Sequence, residues 1–313
     1  MSARNYSQRK PLPRFLLPLF VICFCVCLVA VGVICWGYFQ GNRMYNSVAQ
    51  NALPNLDASD DQVLDTQVDW DALHEVNPET IAWVYVPDTE INYPIVQAEN
   101  NEKYLKTDFQ GEVNWAVSYG AIFLDSNCAA DFSDRNSFFY GHNMNNGSMF
   151  GTLKKYKSLD YFRKHPYVYL TTDAGSARYE IFAAYEVATD GETYRLGFGS
   201  DSAKQAFLDY CVGQSVIDTG VTPQVWDRII TLSTCTGRGH ETRWVVQARL
   251  PGEAPAEPEL TPEEPAEGEP ADDAQAVSGE EPGIEGSEPV EVPPCPWEIR
   301  YYPDLDAAEL VEV

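Results

Sequence analysis

Positive charge is scarce in this chain, and its distribution excludes more than its total. Of 313 residues, 21 are Lys or Arg against 47 Asp or Glu, a net charge of -26. Five bases and no acid fall in residues 1–43, giving +5; residues 44–250 carry -13, and residues 251–313, with Arg300 their one base, carry -18. Nucleic-acid binding needs a clustered basic surface, and no such cluster follows residue 43. Cysteine is equally thin where a fold could use it. Cys23, Cys25, Cys27 and Cys35 lie in one apolar run and Cys295 in the acidic tail, which leaves Cys128, Cys211 and Cys235. Three well-separated cysteines make neither a disulfide framework nor a zinc site. The four histidines show no ligand spacing, and acidic pairs such as Asp60-Asp61 lack the alternating oxygen ligands of a calcium loop. No metal and no cofactor are expected.

What is present falls into four pieces. Phe15–Phe39 is 25 residues without a charge, long enough as a helix to span a hydrocarbon core of about 30 Å. Arg4, Arg9, Lys10 and Arg14 precede it, so the positive-inside rule puts residues 1–14 in the cytoplasm and the rest outside. A cleaved secretory signal ending near Ser47-Val48-Ala49 is the alternative, although the apolar run exceeds an ordinary signal core. Residues 40–67 read as a polar stalk, helical before Pro54. Residues 251–297 hold 11 of the 21 prolines among glutamates, the composition of an extended, disordered chain, and Trp297–Val313 regains apolar residues.

Between stalk and tail, residues 68–250 read as one mainly β domain. Asp69 is a candidate N-cap for a short helix. Eight runs carry strand composition: Ile81–Val86, Ile91–Gln97, Tyr119–Leu124, Ser137–Tyr140, Tyr167–Thr172, Tyr179–Val187, Arg228–Thr234 and Thr242–Leu250. Helical pattern is expected at Asn101–Thr107, Met149–Tyr156 and Ser202–Val212. The sum is a closed or nearly closed barrel with inserted helices.

Three residues carry potential chemistry. Cys235 ends a β-branched run and faces a loop, which suits either an accessible nucleophile or a buried core thiol. His142 sits where a strand breaks into Gly141-His142-Asn143, a place that also suits a solvated loop histidine. Arg243 opens the next strand, so it reaches the same barrel rim if the two strands pair; otherwise it is a surface arginine. Acyl transfer would use all three. A thiolate attacks a carbonyl, an imidazole takes or balances its proton, and a guanidinium stabilises the oxyanion.

The segments Thr231-Leu232-Ser233-Thr234-Cys235 and Arg243-Trp244-Val245-Val246, with Tyr140-Gly141-His142, resemble the active-site motifs of sortases, the membrane-anchored cysteine transpeptidases of Gram-positive bacteria. Asn77–Val84, Tyr93–Gln97, Asn101–Leu105, Ser148–Leu153 and His165-Pro166 resemble class B in particular. The resemblance covers roughly residues 68–250. It implies an eight-stranded sortase barrel, with Cys235 as nucleophile, His142 as acid/base partner and Arg243 as oxyanion group. It further implies substrate contacts at Ser233, at Asn101 and Leu105 on one face of a helix, and at Tyr194 through the segment Tyr194–Phe198. His240, closer to Cys235 in sequence, lacks the motif context that His142 has. The implied partners are secreted proteins bearing a C-terminal sorting signal cut at a Thr-Gly-like bond, an amine nucleophile from peptidoglycan precursor or pilin, and the cell membrane through the N-terminal helix. A non-enzymatic, membrane-tethered barrel that binds extended peptides is the competing function, and it gives no reason for all three motif residues. A papain-like hydrolase is disfavoured, because that fold sets its nucleophile at a helix N-terminus and Cys235 follows a strand.

Overall fold

The computed structural model describes residues 16–53, 67–114, 116–189, 191–236 and 242–254. Its eight strands are β1 (Thr80–Tyr85), β2 (Asn92–Val96), β3 (Ile122–Leu124), β4 (Asn136–Tyr140), β5 (Tyr167–Thr172), β6 (Gly175–Ala188), β7 (Arg228–Cys235) and β8 (Thr242–Leu250). They close into a barrel in the order β1-β2-β3-β4-β7-β8-β6-β5, with β5 paired back onto β1. Every expected strand run forms a strand, shifted by a few residues at its ends. Aromatic and β-branched side chains suit these strands because both barrel faces are covered; β4 is buried along its whole length. β2–β3 and β4–β7 are the parallel pairs, and parallel pairing needs long crossovers. β7 is flanked by β4, parallel to it, on one side and by β8, antiparallel to it, on the other.

Helices fill the crossovers and the N-terminal side. The first, α1 (Leu16–Ala52), is 37 residues long. It is followed by α2 (Trp70–Val76), α3 (Lys103–Lys106), a 3₁₀ turn at Leu153–Lys157, α4 (Leu159–Lys164) and α5 (Asp201–Gln214). Asp69 caps α2 as expected, accepting the Ala72 N–H at 3.0 Å, and Ser200 caps α5 by accepting from Ala203. Two helical expectations change. Asn101–Thr107 contains only the single turn Lys103–Lys106, because Asn100 caps the backbone of Glu102 and Lys103 and so delays the helix start. Met149–Tyr156 begins as turns and becomes helical only at Leu153, since Met149 holds a left-handed φ of 53° that ends any helix at that point.

Among the described residues α1 is the one helix long and apolar enough to cross a membrane. Its side chains are exposed along most of the apolar stretch, whereas Gly37, Gly41, Tyr45, Val48 and Ala52 are buried. Those five recur every three or four positions, which is one helix face. Residues 40–52, expected as a stalk that is helical before Pro54, continue the helix, and their buried face lies on the barrel. The glycines allow the close approach: a Cβ at Gly41 would fall 2.2 Å from the Tyr119 ring, and one at Gly37 2.9 Å from Val117. At the other end, the Gly252 N–H donates to the Asp227 carboxylate at 3.0 Å, so the chain stays tied to the barrel just past β8. The basic N-terminal segment, most of the acidic tail and His240 lie outside the described residues.

Candidate active site

The centre of the site follows from strand register. β7 and β8 pair antiparallel so that Cys235 lies opposite Arg243 and Ser233 opposite Val245. Directly opposed residues in such a pair sit about 4.5–5.5 Å apart and project to the same face. The thiol and the guanidinium therefore share one face at one end of the barrel. Arg243 is buried and its Nη1 donates to its neighbour's carbonyl, Thr242 O, at 3.3 Å. Cys235 is half-buried, whereas Cys128 and Cys211 are buried and their thiols are pushed up to about 12 by that burial. Among the described cysteines of the barrel, only Cys235 combines partial exposure with a strand end.

His142 reaches the same end from β4. Tyr140 pairs with Ser233, and the ladder then continues by other means past the last residue of β4. Gly141 N–H donates to Ser233 O at 3.2 Å. The Thr234 hydroxyl donates to Gly141 O at 2.7 Å, and Asn143 Nδ2 donates to Cys235 O at 2.8 Å. The histidine turn is thus stitched alongside the cysteine strand residue by residue. The ring itself is buried, with Nε2 2.8 Å from Leu105 O. A carbonyl can only accept, so Nε2 carries the proton and Nδ1 is the acceptor nitrogen of the neutral ring. Burial holds His142 below its ordinary range; the Leu105 bond acts in the opposite direction and is the weaker effect. The resting imidazole is therefore neutral, the form needed to accept a proton.

The remaining predicted residues divide. Ser233 and Tyr194 come together: their hydroxyls lie 2.9 Å apart, both buried. Tyr194 also lies within electrostatic reach of Arg243 and Cys235, and burial raises its phenol, so it stays protonated. Leu105 belongs to the site through its carbonyl on His142. Asn101 precedes α3 rather than sharing a helical face with Leu105. Its amide is committed within the chain, donating to Asp125 Oδ2 at 3.0 Å and accepting the Ser126 N–H at 2.8 Å. That arrangement makes Asn101 a clamp on the loop after β3.

Three further residues shape the site. Gly120 has a φ of 58°, and a Cβ there would sit 2.8 Å from the His142 ring and 2.6 Å from Tyr104 O. Its absence of a side chain is what lets the ring lie flush against the backbone. Asn143 supplies the bond to Cys235 O just described. Met149 closes the turn through a bridge with Asn143, and its N–H donates to the Tyr93 hydroxyl at 2.9 Å. A buried non-glycine residue at positive φ costs about 1–3 kcal/mol, a strain that clusters at functional turns. The Gly-rich composition around His142 signals a turn, but no sequence pattern shows that Gly120 packs on it. Among the described residues no group of three His, Cys, Asp or Glu is placed to hold a metal.

Comparison with known proteins agrees with this fold. The Sortase domain family matches residues 84–251. The chain is 37% identical to Sortase B of Listeria monocytogenes over 180 residues, 57% of this chain and 72% of that protein. It is 32% identical to Sortase B of Staphylococcus aureus over 183 residues, 58% and 74% respectively. The structure of the Staphylococcus aureus sortase B-substrate complex superimposes with a TM-score of 0.59 at 28% identity, covering 69% of this chain and 98% of that one.

Proposed function

Because the chain belongs to the sortase family, as a class B cysteine transpeptidase, we propose that it cleaves a Thr-Gly-like bond in the C-terminal sorting signal of secreted proteins and transfers the acyl part to an amine. Cys235 Sγ attacks the scissile carbonyl and its proton passes to His142. Nδ1 is the receiving nitrogen, since Nε2–H is held by Leu105 O. The tetrahedral oxyanion is met by the Arg243 guanidinium, whose planar fork of donors suits it. As the C–N bond breaks, the imidazolium returns its proton to the departing amine, leaving a thioester on Cys235. An incoming amine, from peptidoglycan precursor or a pilin subunit, then attacks that thioester. It loses its proton through His142, and the thiol is regenerated as the new amide forms. Ser233 and Tyr194 line the acyl side of this reaction, and Leu105 stands at its edge. The apolar stretch of α1 anchors the enzyme with the barrel outside the membrane.

One observation supports this reading above the others. Cys235 and Arg243 face each other in register while Asn143 ties the His142 turn to the Cys235 carbonyl. The test is incubation of the full chain in detergent with a peptide library and an amine acceptor, followed by mass mapping. The expected result is a thioester at Cys235, absent in Cys235→Ala, and preferential alkylation of Cys235 near pH 7.5 over Cys128 and Cys211. An acyl or alkyl adduct found mainly at Cys128, with activity lost, would overturn it.

A further inference from the structure

The C-terminal part of α1 touches the barrel at a particular place. Tyr45 is buried, with its ring edge-on to Tyr93 at 5.3 Å. Its hydroxyl donates to Gly120 O at 2.5 Å and accepts the Phe109 N–H at 3.2 Å. One turn earlier, Asn42 Oδ1 accepts the Tyr119 hydroxyl at 2.9 Å and Asn146 Nδ2 at 3.3 Å, and Tyr119 also reaches Tyr38 O at 2.8 Å. These contacts land on two segments. One runs from α3 to β3; it supplies Leu105 O to His142 and sets Gly120 against the imidazole. The other is the turn after His142, which contains Asn143 and Asn146.

We infer that the membrane-proximal half of α1 is part of the active-site scaffold, with Tyr38, Asn42 and Tyr45 acting as positioning residues for His142. The inference rests on the reading of His142 as the acid/base partner. The geometry favours positioning over simple tethering. A tether needs only a covalent link, yet α1 spends hydrogen bonds and a two-glycine approach on the two segments that grip one imidazole. Tyr45 alone bridges Phe109 and Gly120, the two ends of the loop behind the ring. A helix that continues from the apolar stretch without a break is rigid over several turns, so it holds the His142 side of the site in a fixed relation to the anchor. The Cys235–Arg243 side depends on β7 and β8, and among the described residues these hydrogen bonds of α1 fall on the His142 side.

The test uses the full chain in lipid nanodiscs and two variants. Gly41→Leu wedges α1 away from Tyr119; Tyr45→Phe keeps the ring packing and removes only the hydroxyl bridge. Val31→Leu, on the exposed apolar face, is the control. Hydrogen exchange is expected to rise in residues 104–121 and 142–151 of both variants while β5 and β6 stay protected. Turnover is expected to fall about tenfold or more in Gly41→Leu, with KM for the peptide changed less than about threefold, because a misplacement near 1 Å costs up to about 100-fold in rate. If Gly41→Leu does not fold, Tyr45→Phe carries the test alone with a smaller loss of about threefold to tenfold. Exchange and turnover both unchanged would make α1 a tether and overturn the inference. Raised exchange with unchanged turnover would overturn it as well. A native chain without transpeptidation would sink the proposed function, and exchange at the two segments would still decide whether α1 holds them.

Discussion

The two sides of the site are built by different means. Cys235 and Arg243 are placed by a backbone ladder: β7 is paired along its length to β8 and over Ile229–Ser233 to β4, and register alone sets thiol against guanidinium. The backbone around His142 is tied to β7 through Gly141 and Asn143, but its ring is placed by packing. It sits past the end of β4, and its position depends on the Leu105 carbonyl, the missing side chain of Gly120 and the strained turn at Met149. A ladder shares its load over many hydrogen bonds, so one substitution on that side should change chemistry and leave the frame standing. A packed turn rests on a few contacts, so one substitution on the His142 side should move the frame itself.

The sharpest break on the ladder side is Arg243→Lys. The ammonium keeps the charge and loses the planar fork, and removal of one oxyanion donor costs about 100- to 1,000-fold in turnover. The melting temperature should stay close to that of the native chain. Turnover within about threefold of native would make Arg243 a structural residue.

Gly120→Ala is the matching break on the packed side. The new Cβ meets the His142 ring at 2.8 Å and backbone at 2.6 Å, in a conformation with φ 58°. Strain of about 1–3 kcal/mol and a displaced imidazole should lower turnover about 100-fold. Unlike Arg243→Lys, the variant should also melt earlier. Equal melting temperatures for the two variants would remove the contrast.

That contrast also explains what the sequence made legible. Strand runs such as Ile229-Ile230-Thr231-Leu232 announce themselves by composition, and the order of motif residues implied that Cys235 and Arg243 sit on neighbouring strands. The barrel and the Cys235–Arg243 side are therefore legible in composition and motif order. The His142 side could be read only as a motif. Its support comes from residues distant in the chain, Leu105, Gly120 and Tyr45, whose sequence surroundings look like ordinary loop and helix. The same holds for α1: its apolar run reads clearly as a membrane span, yet the docking of Gly41 and Tyr45 depends on a partner surface that no local pattern displays. Asn101 is legible as a motif position, while the hold of its amide on Asp125 and Ser126 is not.

A smaller effect sharpens the ladder side. Tyr194→Phe removes the hydroxyl that pairs with Ser233 at 2.9 Å. A net hydrogen bond is worth about 1 kcal/mol, which corresponds to about fivefold in rate if the pair orders the acyl side of the site. Tyr194→Phe combined with Ser233→Ala should then cost little more than either change alone. Fully additive losses in that double-mutant cycle would show that the pair does not act as a unit.

The smallest expected effect concerns protonation on the packed side. Burial depresses the His142 pKa below its ordinary value of 6.5, so the folded chain resists charging a ring that the unfolded chain charges freely. The unfolded state therefore binds this proton first as pH falls. The stability owed to a neutral His142 is fully present above about pH 6.5 and is lost progressively as pH falls from there through the depressed folded value. His142→Gln retains a side-chain donor for Leu105 O and removes the titration. Subtracting the variant's melting temperature from that of the native chain cancels every other titrating group. The difference should be level from pH 8 to 7 and shrink steadily from pH 6.5 to 5. A difference that stays level or widens on acidification would mean that His142 meets water in the folded chain, and the packed wall formed by Gly120 and Leu105 would lose its role.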